Sequence, residues 1–211
     1  MIRERLARSL PLAAVVVATA GAFWPWVYRE AVALQLTAPG LAEFVKFLPE
    51  VRRGELAVSR LFFLLPLLAG TVVLPLLAVN RQVGYPRWLQ WLLRLAVLPF
   101  ALSLLSPVWT PAVLVSAEFR LQTLAAILCL GLGLVAPLLK NLPLRWLALA
   151  GAGLALLAVG LAFQQFFLAR AALEDVYRSP IVPGWGAWLA WAGAGWLLLG
   201  AASAFLPADR A

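Results

Sequence analysis

Four acidic side chains are the first residues whose type and spacing could do chemistry: Glu43, Glu50, Glu174 and Asp175. Two carboxyl groups held across a cleft can act as general acid and base. Glu43 and Glu50, however, share a helix face with Lys46 and Arg53, so a solvated, charge-paired face is expected there. Glu174 and Asp175 are neighbours with no third ligand nearby, and they read as a loop charge or a helix terminus. The chain has no histidine. That excludes His-ligated haem and zinc, HExxH proteases and Ser-His catalysis. Cys129 is the sole cysteine and lies in an apolar run, so it reads as a packing residue without a disulfide or a CxxC pair. Met1 is the sole methionine, which removes thioether metal sites. No catalytic residue, metal site or cofactor is expected. No P-loop is present, so an ATP-driven role would need a separate ATPase chain.

Three polar residues fall inside apolar runs and are candidates for intramembrane roles: Arg94, Gln164 and Gln165. Arg94 stands about two helical turns inside the run opened by Trp88. Its head either snorkels back to the interface or faces the bundle and contacts an anion or lipid headgroup. No acidic residue lies within a span to partner it, which argues against a proton relay. Gln164 and Gln165 can hydrogen-bond between helices or line a pore.

The elements that must carry these residues follow from composition. Of 211 residues, 64% are hydrophobic, and the mean hydropathy is +0.93. A soluble domain of this size cannot bury so much apolar surface, so lipid must cover it. The apolar runs are continuous and rich in Leu and Ala, which excludes a transmembrane β-barrel. The expected fold class is all-α: one integral-membrane domain, residues 1–211, with six transmembrane helices. Spans are expected at residues 10–27, 61–79, 88–106, 121–139, 146–168 and 185–206. Arg3, Arg5 and Arg8 precede the first run. An uncleaved first helix is expected, the alternative being a signal peptide cut near Ala18-Thr19-Ala20.

The formal net charge is +8. The charges sit between apolar runs, so they read as topology signals and contacts to the lipid bilayer rather than to nucleic acid. Six spans put both termini on one side, expected to be the cytoplasmic side of a bacterial-type plasma membrane. That side carries nine Lys and Arg residues and the other eight; without residues 28–60 the ratio is nine to three.

Residues 28–60 are the only long segment too polar for lipid, and they hold Glu30, Glu43, Glu50 and Glu55. Pro39 can open a short helix with Thr37 or Ala38 near its cap. At 100° per residue, Leu41, Phe44, Val45, Leu48 and Val51 share one face. Glu43, Lys46, Glu50 and Arg53 fall opposite, with pair spacing for Glu43–Lys46 and Lys46–Glu50. Pro49 should kink the helix and Gly54 should end it. The result is a short external amphipathic helix between the first two spans. It lies on the outer leaflet or caps the bundle, or else it is a lid over a cavity or a docking surface for a partner.

Small residues mark two further faces: Gly186, Ala190, Gly193, Gly200 and Ala204 on the sixth span, and Ala148, Gly151, Ala152, Ala155 and Ala158 on the fifth. These two spans are expected to pack together through them, the alternative being a dimer or partner interface. Pro66, Pro75, Pro99 and Pro137 are candidate kinks. In size and six-span layout the chain resembles the substrate-binding membrane components of vitamin transporters, and also small permease subunits. The resemblance is one of topology alone and assigns no residue a role. It implies a membrane subunit of a transporter or permease, working with other membrane subunits or a separate ATPase chain. A structural or accessory subunit of a larger membrane complex is the alternative. A lipid-modifying enzyme using Arg94 or the outer carboxylates is the third reading.

Overall fold

In the computed structural model, residues 2–29 and 34–205 are described. Glu30, Leu206, where the last span was expected to end, and the Asp209-Arg210 tail lie outside them. Ile2–Ala22 forms helix α1. It stops short of Pro25, which lacks an N–H and pushes Trp24 out of the helical region. Trp26 then folds back, and its indole Nε1 donates to the Ala20 carbonyl at 3.2 Å. That satisfies one of the acceptors a helix end leaves open. The first apolar run therefore does not continue as helix to residue 27. Instead Pro25–Arg29 forms strand β1, antiparallel to β2, Leu34–Thr37. This hairpin is the one departure from an all-helical chain among the described residues.

Helix α2, Ala38–Phe44, begins as its sequence predicts, with Pro39 in its first turn and Thr37 Oγ1 accepting from Gly40 N at 3.2 Å. A 3₁₀ turn, Val45–Phe47, separates it from the single-turn helix α3, Pro49–Arg52. A second 3₁₀ segment, Arg60–Leu64, leads into α4, Leu65–Val79. The stretch expected as one span over 88–106 is instead two short helices, α5 (Arg87–Leu95) and α6 (Val97–Leu102). The cause is Pro99, which removes the donor that would bond the Leu95 carbonyl. A single turn, α7 (Pro111–Leu114), precedes α8, Arg120–Val135. Pro137 converts the end of that run into the 3₁₀ segment Ala136–Leu139. Helices α9, Leu144–Tyr177, and α10, Trp185–Ser203, complete the chain.

Four helical stretches are long and apolar enough to cross a membrane: Glu4–Ala22, Arg60–Val79, Arg120–Leu139 and Leu144–Tyr177. Helix α10 carries no charge over its 19 residues, but its tryptophans and glycines leave it less hydropathic than those four. Within the bundle, 72% of the Arg60–Val79 window is buried against 28% of the Arg120–Leu139 window. Helix α4 is therefore the central post, and α8 lies at the rim with Leu121, Leu124, Ile127 and Leu128 exposed.

Small residues allow the closest approaches. A Cβ built on Gly70 of α4 would lie 2.7 Å from the Ala18 backbone N of α1, and one on Gly21 would lie 2.9 Å from Leu67 N. The glycine face of α10 also turns to α1: a Cβ on Gly193 would lie 2.6 Å from Val17 Cγ2 and 3.1 Å from the Ala13 carbonyl, and one on Gly200 would overlap Leu10. Gly151 of α9 faces Val73 of α4 at 2.9 Å by the same measure. Helices α9 and α10 do touch, through Phe163 against Trp188 and Trp191. Their glycines, however, serve other partners, because a Gly face admits a neighbour's backbone and each helix spends its own on a different one.

The contacts sort the connections into two ends. At one, Asn80 Nδ2 donates to the Leu142 carbonyl at 2.8 Å, Leu144 N donates to Gln82 Oε1 at 3.0 Å, and Tyr85 Oη donates to the Arg8 carbonyl. Trp146 packs edge-on against Phe205 there. This end gathers Arg5, Arg8, Arg81, Arg87, Lys140 and Arg145, and is called the basic end below. At the other lie the hairpin, α2 and α3, residues 102–119 and the turn between α9 and α10, tied by Gly184 N donating to the Trp26 carbonyl and by Trp24 against Trp185. The chain alternates between the ends, and residues 87–106 run from the basic end to the hairpin end.

Candidate ligand cavity and its polar wall

A cavity of about 530 Å³ opens at the hairpin end. Its roof is α2, through Pro39, Gly40, Ala42 and Glu43, and its floor includes Ala22 at the end of α1 and Leu64. Residues 102–107, Trp109 and Gln122 of α8 close the sides. A smaller cavity of about 150 Å³ adjoins it and shares Leu64, Leu104 and Gln122. The larger space lies beyond the end of α1 at Ala22 and the end of α6 at Leu102, since neither continues as a helix through this level.

The polar wall is a four-charge network. Glu43 Oε1 accepts from Arg60 Nη1 at 3.0 Å, and its Oε2 pairs with Lys46 Nζ at 2.7 Å. Lys46 Nζ also lies 3.3 Å from Glu118 Oε1. Arg60 Nη2 donates to the Glu118 carbonyl at 2.7 Å and to Gln122 Oε1 at 3.4 Å. The Arg60 guanidinium lies 4.5 Å from the centre of the Phe119 ring. Its side chain is only 13% exposed, so a removed charge is matched by paired oxygens and an aromatic face, as a desolvated cation requires. Burial alone would lower the Lys46 pKa, but the hydrogen bonds and charges of Glu43 and Glu118 outweigh it and raise the pKa above 10.5. The spacing of Lys46 and Glu50 does not yield an ion pair, because the 3₁₀ turn and Pro49 break the α-helical register between them. Lys46 turns to Glu118 instead.

The face formed by Leu41, Phe44, Val45, Leu48 and Val51 turns inward. Leu41, Val45 and Leu48 are buried, Val51 packs against the core, and Phe44 stacks on Tyr177 at 5.7 Å. The segment from α2 to α3, broken by the 3₁₀ turn rather than one helix, thus packs on the bundle with this face, and α2 roofs the cavity with another. The two glutamines separate: Gln164 is exposed, while buried Gln165 accepts from Ser59 N at 2.7 Å through Oε1. Glu174 Oε1 accepts from Arg170 Nε and from Ile181 N, each at 2.8 Å, and so fastens the turn after α9; Asp175 is exposed. Neither reaches the cavity.

Arg94 has a third role beside the two anticipated. Its Nε donates to the Gly133 carbonyl of α8 at 3.0 Å, with the guanidinium 4.5 Å from the centre of the Trp91 ring. Pro137, four residues after Gly133, has no N–H to offer that carbonyl. Arg94 supplies the missing donor.

Arg60, Glu118, Gln122 and residues 102–109 are the site residues that sequence reading missed. They stand at the edges of apolar runs or in a loop, and nothing local joins positions so far apart. Among the described residues no three His, Cys, Asp or Glu side chains converge as metal ligands.

The fold defines a helical chain with four helices able to cross a membrane and a half-open cavity at one end. No protein-family model, curated protein or solved structure matches it.

Proposed function

We propose that the chain is the membrane subunit of a transporter or permease, with its ligand held in the cavity beneath α2. In this reading the chain crosses a bacterial-type plasma membrane six times, with α5 and α6 together making the third crossing and α10 the sixth. Both termini and the basic end face the cytoplasm, and the cavity faces outward. Other membrane subunits, or a separate ATPase chain, supply what this chain lacks. The observation that carries the proposal is the cavity of about 530 Å³, within the range of small-molecule sites. Its roof is the short helix α2, set between strand β2 and the 3₁₀ turn Val45–Phe47, and in this reading α2 is the lid. The test is thermal unfolding of the purified protein across a panel of small molecules. A ligand should raise the unfolding temperature, and Ala42→Phe, which fills the cavity from α2, should abolish that rise. No stabilising ligand, or one indifferent to Ala42→Phe, would defeat the proposal.

A structural or accessory subunit is the second reading. It draws on Gly153 and Gly160 of α9, where an added Cβ would meet nothing within 4 Å. These glycines stand on one outward stripe, seven residues apart, where a partner helix could approach. Native mass spectrometry after gentle extraction separates the readings, since an accessory subunit should carry a partner chain and a bare monomer would count against it.

A further inference from the structure

We propose that the joined cavities form a site for a neutral amphiphile that enters sideways from the bilayer; this rests on the larger cavity being a ligand site. The head, bearing a carbonyl or hydroxyl, lies between Glu43 and Gln122, and the chain occupies the smaller cavity. The smaller cavity is lined by Leu61, Leu65, Leu68, Leu121 and Ala125 besides the three shared residues, and Gln122 is its one polar side chain. Leu121 is 57% exposed, at the start of the rim helix α8. The smaller cavity therefore abuts the face that lipid would cover, and the larger one holds the polar wall.

Gln122 stands at the junction and is 4% exposed. Its Oε1 faces the Arg60 guanidinium, which fixes the amide's orientation, because the opposite one would set two donors against each other. Its Nε2 has no hydrogen-bond partner among the described residues. The Nε2 is not sealed from solvent and opens to the cavities that Gln122 lines, where a ligand oxygen can take the place of water. The charge of the head follows from the network. Glu43 and Glu118 balance Lys46 and Arg60, and Glu43 is the charged group that lines the cavity. An anionic head would meet that carboxylate, and a cationic head would have to displace Lys46 or Arg60. A neutral head offers its oxygen to Gln122 and, if it carries a hydroxyl, donates to Glu43. A glycerol monoester has both groups.

Protein in maltoside micelles is titrated with monoolein, with lyso-phosphatidylglycerol of the same chain, and with sphingosine. Unfolding temperature and adducts retained in native mass spectra are read together. Monoolein should give a saturable rise and a single retained adduct, at concentrations about tenfold below those the two charged lipids need. Ala125→Phe fills the smaller cavity and should weaken monoolein about tenfold while leaving short-chain glycerol monobutyrate unchanged. Gln122→Leu should weaken both. A monoolein shift that is unsaturable or no stronger than with the charged lipids overturns the proposal, as does an Ala125→Phe variant that binds monoolein normally. If a water-soluble compound stabilises the protein, is lost in Ala42→Phe, and monoolein does nothing, the amphiphile proposal falls and the ligand-site reading stands. If neither stabilises it, both fall.

Discussion

Arg94 shows how a charge in an apolar run can be accounted for by a proline on another helix. The Gly133 carbonyl loses its helical donor to Pro137, and Arg94 Nε replaces it. Replacing Arg94 by Met should leave that carbonyl unpaired and cost about 1–3 kcal/mol. In a Pro137→Ala background a backbone N–H returns, and the same substitution should cost clearly less. A double-mutant cycle of unfolding free energies measures the difference, and strict additivity would show that Arg94 does something else. Lys46 gives a pH signature. Its pKa in the folded protein lies above the ordinary 10.5, so its stabilisation is complete below 10.5 and is lost as pH rises through the folded value. Unfolding midpoints of wild type and Lys46→Met should therefore differ at neutral pH and converge well above 10.5. A constant gap would place the contribution of Lys46 in its alkyl packing.

The helical elements were largely legible, because long apolar runs bounded by Arg, Gly and Pro leave few alternatives. The failures cluster at proline. Residues 24–27 read as more of the first span, yet Pro25 stops α1 and the chain turns into a strand. Residues 88–106 read as one helix, yet Pro99 divides it. Small-residue faces were visible in sequence, but their partners were not: periodicity shows which side of a helix is narrow, not which neighbour fills it. Two substitutions test that packing. Gly70→Val, which drives a side chain into the Ala18 backbone, should destabilise by about 1–3 kcal/mol, and Gly153→Ala, into open space, should not. Loop anchoring separates the glutamines in the same way. Gln165→Leu leaves the Ser59 N–H without its acceptor and should cost about 1–3 kcal/mol, while Gln164→Leu should be nearly silent in chemical denaturation.

Charge is divided unevenly along the bundle axis. Every ion pair among the described residues lies at the hairpin end, where Lys46, Arg53, Arg60 and Arg170 are matched by Glu43, Glu55, Glu118 and Glu174. At the basic end, Arg5, Arg8, Arg81, Arg87, Lys140 and Arg145 make none among the described residues. A count of Lys and Arg along the sequence is nearly even because it cannot see which cations are paired. The cavity was illegible for a related reason, since its walls come from α1, α2, the 3₁₀ segment Arg60–Leu64, residues 102–109 and α8, five stretches without a shared motif. Its placement opposite the basic end is the feature on which the proposed uptake from outside depends. Single cysteines at Arg81 and Trp109, in a Cys129→Ser background, test that placement directly with a membrane-impermeant maleimide. Six crossings predict that position 109 labels on intact cells and position 81 only in inside-out vesicles. Labelling of both positions from the same side would contradict the third crossing and put the cavity on the face of the basic end.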